Sequence, residues 1–493
     1  MKTYKHLFED VVTKDYIRES FLTAAKRKTT REEVAEVLEN LEENVEILQQ
    51  ILIEEKFEPP SHRKCKINEH NCGKVREIIK PDYKYEQVVH HCIVRKIQPI
   101  ILRGLYENAL GSIPNKGTHS GKKTIEKWIK GYKGKKFYIL KVDVRHCFDT
   151  EDVEVIEAKL AHVIKDDRFL RLCYKVLEAE AVLKPEERPD DIEDWEDIER
   201  LSGLPLGFIT SQWFTQLNFK RFDHVVMEDV KEEFGIDHYI RYADDIVVFG
   251  RNKKKLHRLR EWMEGYLATE LHQHLKSNWQ VFRFEYVDRK TGKTRGRALD
   301  FMGFVFHYNR TTMRKSILKR STRKAHRIGK KDKITWYDAA AMLSYMGWYD
   351  HTDTYNYFEE YIKPYVSIRT LKRIVSKHSR KEQKSYERLV HSTEYDRACG
   401  VRHDIQPDHS LPEKEHQEGD EGSNGAGGST GILRISGASD DEGRVSAASG
   451  RAGKPCHKND YADAVCNRIA AGIAGRDGGG VRDGRDNNTQ QEV

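Results

Sequence analysis

Apolar positions along the chain alternate between helical and strand spacing. From Glu32 to Glu54 they fall at Val34, Val37, Leu38, Leu41, Val45, Leu48, Ile51 and Leu52. That is one helical stripe, closed by Pro59-Pro60. Short strands are expected at 64–67 and 74–79, followed by a turn at Pro81-Asp82. Glu86–Leu105 reads as a mostly apolar helix that Pro99 should kink or split. A loop from Gly111 to His119 precedes a helix at 122–128, and a strand covers 136–144. Helix then runs to about Ala181 and again from Thr210 to about Glu232. Leu256–Leu275 is an amphipathic helix, and Phe301–Phe306 is one strand-like run. The stretch from Lys315 to about Arg380 is mainly helical, with a break at Pro364.

Within this mixed α+β pattern, Tyr239–Phe249 stands apart. Two β-prone runs, Tyr239-Ile240-Arg241-Tyr242 and Ile246-Val247-Val248-Phe249, flank Asp244 and Asp245. The pattern predicts a tight hairpin with acids at its tip. Like charges this close repel, and a divalent cation is the simplest compensation. A third acid, Asp143, ends the apolar strand Phe137–Val142. Carboxylates from two such elements can hold two Mg²⁺ ions roughly 4 Å apart, with Mn²⁺ as a substitute. The backbone carbonyl of Val144 can complete the set. Asp143 and Asp244 are expected to bridge the metals, with Asp245 as the third acid. Strand, helix and hairpin in this order suit a split βαβ palm.

Charge and composition sharpen the picture. The 493 residues are 38% hydrophobic and 33% charged, with a net charge of +7. Residues 401–493 carry 11 Lys and Arg against 16 Asp and Glu, so the body of the chain is the basic part. A basic body suits a polyanion partner. Sixteen of the 34 glycines lie in 401–493, whose only Phe, Trp or Tyr is Tyr461. Such a segment is expected to be disordered. The acidic stretch Pro185–Arg200 is expected to be a solvated surface insertion. No apolar run approaches the roughly 18 residues of a membrane span. The opening Met1–Asp10 has no apolar signal core, and the eight cysteines suit a reduced, cytoplasmic compartment. Cys65 and Cys72, near His62 and His70, lack the spacing of a metal site.

Seven ordered motifs resemble a reverse transcriptase of the bacterial, retroelement-derived kind over roughly 60–380. They are Arg76-Glu77-Ile78-Ile79-Lys80-Pro81, Gly117-Thr118-His119, Asp143–Asp149, Leu204–Gln212, Tyr242-Ala243-Asp244-Asp245, Phe301-Met302-Gly303-Phe304 and Ser344-Tyr345-Met346-Gly347-Trp348. The resemblance implies an α+β right-hand polymerase. Its parts would be an N-terminal helical extension (1–60), fingers and palm (61–310), a basic helical thumb (311–390) and the tail (391–493). It implies an RNA-directed DNA polymerase acting on template RNA, a primer or growing cDNA, and dNTPs. Phe148 would be the steric gate against ribonucleotides. Arg76 and Lys80 would bind triphosphate, Gly207 would let backbone approach the incoming pair, and Gln212 would contact template or nucleotide. Lys276 is the candidate general acid. Lys116, the Gly303 primer grip and Trp348 would contact nucleic acid. Gln212, where intron and retron enzymes carry Pro, resembles the diversity-generating retroelement branch, which works with a small accessory RNA-binding protein. An antiviral-defence or intron-derived enzyme, a template-independent polymerase, and a non-catalytic RNA-binding or splicing helper are the alternatives.

Overall fold

The computed structural model of the protein describes residues 2–62, 64–69, 74–185 and 199–391. Most of the acidic insertion and the tail beyond His391 lie outside the described residues. The chain opens with helices α1 (Leu7–Val11), α2 (Lys14–Ala25), α3 (Glu32–Glu39) and α4 (Leu41–Ile53). The hairpin β1 (Lys64–Glu69)/β2 (Lys74–Ile79) leads to α5 (Val88–Leu102), β3 (Ala109–Leu110), α6 (Thr118–Gly131) and β4 (Tyr138–Asp143). Next come α7 (Val153–Val163), α8 (Asp167–Glu178), the pair β5 (Val182–Pro185)/β6 (Glu199–Ser202) and α9 (Ile209–His224). The short α10 (Lys231–Phe234) precedes β7 (Ile236–Tyr242), β8 (Asp245–Gly250), α11 (Lys253–Leu271) and β9 (Gln280–Arg283).

The stripe over 32–54 is present, but it is two helices. Asn40, at φ −115°, breaks it; the Asn44 side chain donates to the Val37 carbonyl at the end of the first helix and also to the Asn40 carbonyl, which already accepts Asn44 N–H at 3.0 Å. Pro99 does not split its helix. It lies in the last turn of α5, where its missing N–H disturbs only the end of the ladder. α1, α2, α4 and α5 share one core with α7, α8 and the start of α9, from Phe8 and Phe21 through Ile93 to Phe169 and Leu217. The N-terminal helices therefore share their core with helices of the segments that follow.

The palm is a five-stranded sheet in the order β3-β7-β8-β4-β9, antiparallel except for β3 with β7. Its alternation is clean. Leu140, Val142, Tyr239, Ile246 and Val248 pack on Phe219 and Phe222 of α9 and on Leu259 and Met263 of α11. Ile139, Ile240, Val247 and Phe249 face Ile125 and Ile129 of α6 and the strands that follow β9. With both faces covered, β8 is buried at every position, which accounts for its unbroken apolar run.

The small pair β10 (Tyr286–Val287)/β11 (Thr294–Arg295) precedes a three-stranded sheet of β12 (Leu299–Phe301), β13 (Phe304–Phe306) and β14 (Thr311–Met313). The apolar run 301–306 is thus a hairpin rather than one strand. Met302 and Gly303 both have positive φ, as a two-residue turn requires. The thumb is α12 (Lys315–Gly329), α13 (Trp336–Tyr349), α14 (Tyr355–Tyr361) and α15 (Ile368–His391) around Ile317, Ile328, Met342 and Leu371. The chain breaks around Pro364, between α14 and α15. α15 returns to the N-terminal helices beside α3, where the Thr29 hydroxyl donates to the Glu382 carbonyl at 3.4 Å.

The corner after β4 rests on Glu151, which is wholly buried. Its carboxylate accepts from the Asn218 amide of α9 at 2.5 Å, and its carbonyl accepts from Gly203 N–H at 2.9 Å. Burial raises its pKa from 4.5 to about 7. Between those values the folded chain holds a proton that the unfolded chain has lost. The stability that Glu151 contributes is therefore fully present below pH 4.5 and is lost as pH rises toward 7, by up to roughly 1.4 kcal/mol per pH unit. Glu151→Gln should remove this contribution. Urea midpoints at pH 5 and pH 8 should differ less in the variant than in the parent, and an equal difference would refute the assignment.

Candidate active site

The register of two neighbouring strands builds the site. Asp143, the last residue of β4, stands opposite Asp245, the first residue of β8. Opposed residues of an antiparallel pair point to the same face. Ala243 and Asp244 form the turn between β7 and β8, and Tyr242 pairs with Asp245. Val144 N–H donates to the Asp244 carbonyl at 3.1 Å, which ties the turn to the end of β4. Asp143 and Asp245 are 6% and 8% exposed. The three acids thus meet at one end of the sheet, in a poorly solvated corner.

Their electrostatics follow from that burial. Burial and then the Asp245 charge push the Asp244 pKa up to about 6. Burial also raises Asp245, against the pull of Lys141, Arg314 and Lys276. Lys276 Nζ lies 2.5 Å from Asp143 Oδ1, and its backbone N–H donates to the Asp143 carbonyl at 2.7 Å. Burial lowers the Lys276 pKa, with Asp244 and Asp245 opposing. Arg76, exposed on β2, is close enough for its charge to lower both Asp244 and Lys276.

Among the described residues, no three His, Cys, Asp or Glu side chains are arranged to hold a metal ion. The expected ligands are Asp143, Val144, Asp244 and Asp245, and the Lys276 ammonium lies against the Asp143 carboxylate. The donor chemistry still fits. Buried carboxylates, with the Asp245 charge raising the Asp244 pKa, are oxygen donors short of positive charge, which is what a hard divalent cation supplies.

The other expected residues are spread over three neighbourhoods. Phe148 lies in the single 3₁₀ turn Cys147–Thr150, half-buried against the fingers core, and its carbonyl accepts from Leu204 N–H at 2.7 Å. That bond docks the Leu204–Gly207 loop on the corner after β4. Gly207 has φ +130°, and what approaches it is the chain itself. A Cβ there would collide with the Ile79 carbonyl, and Ile79 N–H donates to Leu206 O at 2.9 Å. Its small size is thus used in joining fingers strand to loop. Lys80 follows that strand, and Gln212 is half-buried in the first turn of α9. Phe208 packs its ring on His62 and His90, at 5.2 and 4.4 Å.

Lys116 Nζ donates to the Glu107 carbonyl at 2.8 Å, within its own loop region. Gly303 and Trp348 belong to the junction of palm and thumb. The Trp348 ring packs 4.6 Å from Phe304, and a Cβ on Gly303 would meet it at 2.5 Å. His119, from the start of α6, joins them, its ring 6.2 Å from Trp348 and, tilted at 52°, 4.2 Å from His351. Two residues were not anticipated. Lys141 donates to the Asp300 carbonyl at 2.8 Å, and Arg314 Nε donates to the Asp300 carboxylate at 2.7 Å. Both bring positive charge toward Asp245. A lysine at an interior position of an apolar strand was the available signal for the first.

Residues 67–306 match the family model for reverse transcriptase (RNA-dependent DNA polymerase). That span is just under half of the chain, and over it the chain is similar to the reverse transcriptase family. The matched span contains β2, the palm sheet and the hairpin β12/β13. The group II intron-encoded protein LtrA of Lactococcus lactis subsp. cremoris is 24% identical over 230 residues, which cover 45% of this chain and 35% of that protein. The chain spans about a third of the length of the curated relatives it matches. Apo telomerase from Candida tropicalis aligns with a TM-score of 0.40 at 11% identity, over 70% of this chain and 62% of that one. A form of it truncated from the C-terminal domain gives 0.38 at 14%, over 51% and 54%. Superpositions this loose have no bearing on function.

Gly303→Ala should separate thumb from palm. The added methyl would meet Trp348, and the positive φ adds strain of roughly 1 kcal/mol or more. The expected outcome is a lower melting temperature and weaker binding of a primer–template duplex. Unchanged values in a thermal melt and an anisotropy titration would contradict the packing described.

Proposed function

We propose that the protein is an RNA-directed DNA polymerase that extends a primer with dNTPs on an RNA template. One observation carries this reading. Asp143 and Asp245 oppose each other across β4 and β8, with Asp244 in the adjoining turn, inside the span similar to the reverse transcriptase family. RNA binding alone has no use for three carboxylates in one buried corner. Two divalent cations, Mg²⁺ or Mn²⁺, would be held by Asp143, Asp244, Asp245 and the Val144 carbonyl. When bound, they supply the charge that activates a 3′-hydroxyl and steadies the departing pyrophosphate.

The chain's own residues do the rest. Lys276 must leave Asp143 as that carboxylate takes up its ligand role. It then holds a proton on Nζ within reach of the pyrophosphate, and burial makes it a readier donor than a surface lysine. Arg76 and Lys80, on and just after β2, meet the triphosphate. Phe148 sits beside the corner where a ribose would lie and excludes a 2′-hydroxyl. Basic side chains of α12 and α15 face the duplex backbone. Among the described residues no helix is long and apolar enough to cross a membrane.

Within this function we place the chain with the diversity-generating retroelement enzymes, working with a small accessory RNA-binding protein. The support is the Leu206-Gly207 to Ser211-Gln212 motif. Ser211 Oγ donates to the Pro205 carbonyl at 2.8 Å and so braces the loop before Gln212. An intron-derived enzyme is the second reading, favoured by the similarity to an intron-encoded protein. Flanking DNA separates the two, because a repeat pair differing only at adenines belongs to the first.

Purified protein with primed RNA, Mg²⁺ and dNTPs should extend the primer, and Asp244→Asn should reduce the rate by roughly 10²-fold or more. No incorporation, or incorporation that survives the substitution, would leave the non-catalytic RNA-binding reading. Phe148→Ala should narrow the preference for dNTPs over rNTPs by roughly tenfold or more. Unchanged discrimination in a competition assay would remove Phe148 from its role as gate.

A further inference from the structure

The largest wholly buried side chain among the described residues is a charged one, Arg241 on β7. Its guanidinium grips Asp223 of α9 with two groups, Nε at 2.8 Å from Oδ1 and Nη2 at 2.6 Å from Oδ2. The Tyr239 hydroxyl donates to the same Asp223 at 2.5 Å. Nη2 also donates to Gln216 Oε1 at 3.0 Å, and the guanidinium lies over the Phe219 ring, 5.0 Å from its centroid. Nη1 reaches out of this cluster and donates to the carbonyl of Ala243 at 3.1 Å.

That carbonyl belongs to the peptide joining Ala243 to Asp244. Ala243 has φ +52°, a left-handed conformation that costs a non-glycine residue roughly 1 kcal/mol or more. Both of its backbone polar groups are held. Its N–H donates to Leu110 O at 3.1 Å, and its C=O accepts from Arg241. The second arm of the cluster runs the other way, with Gln216 Nε2 donating to Gly111 O at 2.9 Å. The strand that supports the turn and the loop beside it are thus fixed by one buried guanidinium.

We propose that Arg241 is a positioning residue. Braced by Asp223 and Gln216, it clamps the Ala243–Asp244 peptide so that the Asp244 carboxylate is presented toward Asp143. Stability alone does not call for this pair, because well-packed apolar side chains replace buried ion pairs at little or no cost. Charge alone does not suffice either. A lysine carries the charge but lacks the planar fork that reaches Asp223, Gln216 and Ala243 at once.

The proposal rests on the polymerase reading above, and its test carries a readout that needs no turnover. Arg241→Lys and the double variant Arg241→Met/Asp223→Leu would be compared with the parent for primer extension on RNA. Melting temperature, duplex affinity and Mn²⁺ binding by electron paramagnetic resonance would be measured on the same samples. Both variants should lose roughly 10- to 100-fold in kcat and bind Mn²⁺ at least about fivefold more weakly. KM for dNTP and duplex affinity should stay within about twofold, and the double variant should melt at about the parent's temperature. A folded double variant with parental kcat and Mn²⁺ affinity would overturn the proposal. Failure of both variants to fold would overturn it too, since the cluster would then be a stability device. A parent that does not polymerise would refute the polymerase reading, while Mn²⁺ binding would still decide the role of Arg241.

Discussion

Two carboxylates facing each other across neighbouring strands repel, and the molecule is assembled around that repulsion. Like charges directly opposed in a sheet are destabilising, and burial denies Asp143 and Asp245 the water that would screen them. The offsetting charges come from separate parts of the chain. Lys276 arrives from the segment before β9, Lys141 from β4, Arg314 from the base of the thumb and Arg76 from the fingers. Fingers, palm and thumb base therefore share one local charge balance. A cation entering the corner competes with lysine and arginine side chains already there.

The sheet keeps this arrangement from relaxing by sliding. A one-residue slip of β8 on β4 would exchange Ile246 and Val248 for Val247 and Phe249 on each face. Both faces are packed, against α9 and α11 on one side and α6 and β12/β13 on the other. Register is strongly specified where faces are buried, so apolar packing holds two like charges where they would not settle by themselves.

The parts of this architecture set by near neighbours were legible in the sequence. Tyr239–Phe249 showed its hairpin because strand period and turn chemistry lie within eleven residues. The stretch from Lys315 to about Arg380 read as mainly helical, and the break at Pro364 falls between α14 and α15. Local exceptions were harder. The stripe through Asn40 has perfect spacing yet breaks, and the Asn44 side chain bonds the Val37 carbonyl across the break. The run 301–306 looked continuous because its turn residues, Met302 and Gly303, include an apolar one. Pairings across long sequence distances were hardest of all. Nothing local marks Lys276 as the partner of Asp143, and nothing in the strand run around Arg241 names Asp223 as the acid that makes its burial tolerable. The acids, Lys276 and Arg76 could be picked out one by one, but the pairings that hold and neutralise the acids could not.

The contact between α15 and the residues beside α3 has a topological meaning. The thumb joins the palm through Trp348 and Gly303, the palm joins the fingers through the Leu204–Gly207 loop and β2, and Glu382 of α15 meets Thr29 of the N-terminal helices. These contacts complete a circuit, closed where α15 packs beside α3 and the Thr29 hydroxyl donates to the Glu382 carbonyl at 3.4 Å. The two ends of the described chain are thus tied to each other, so α15 and the N-terminal helices part only if that bond and that packing give way together.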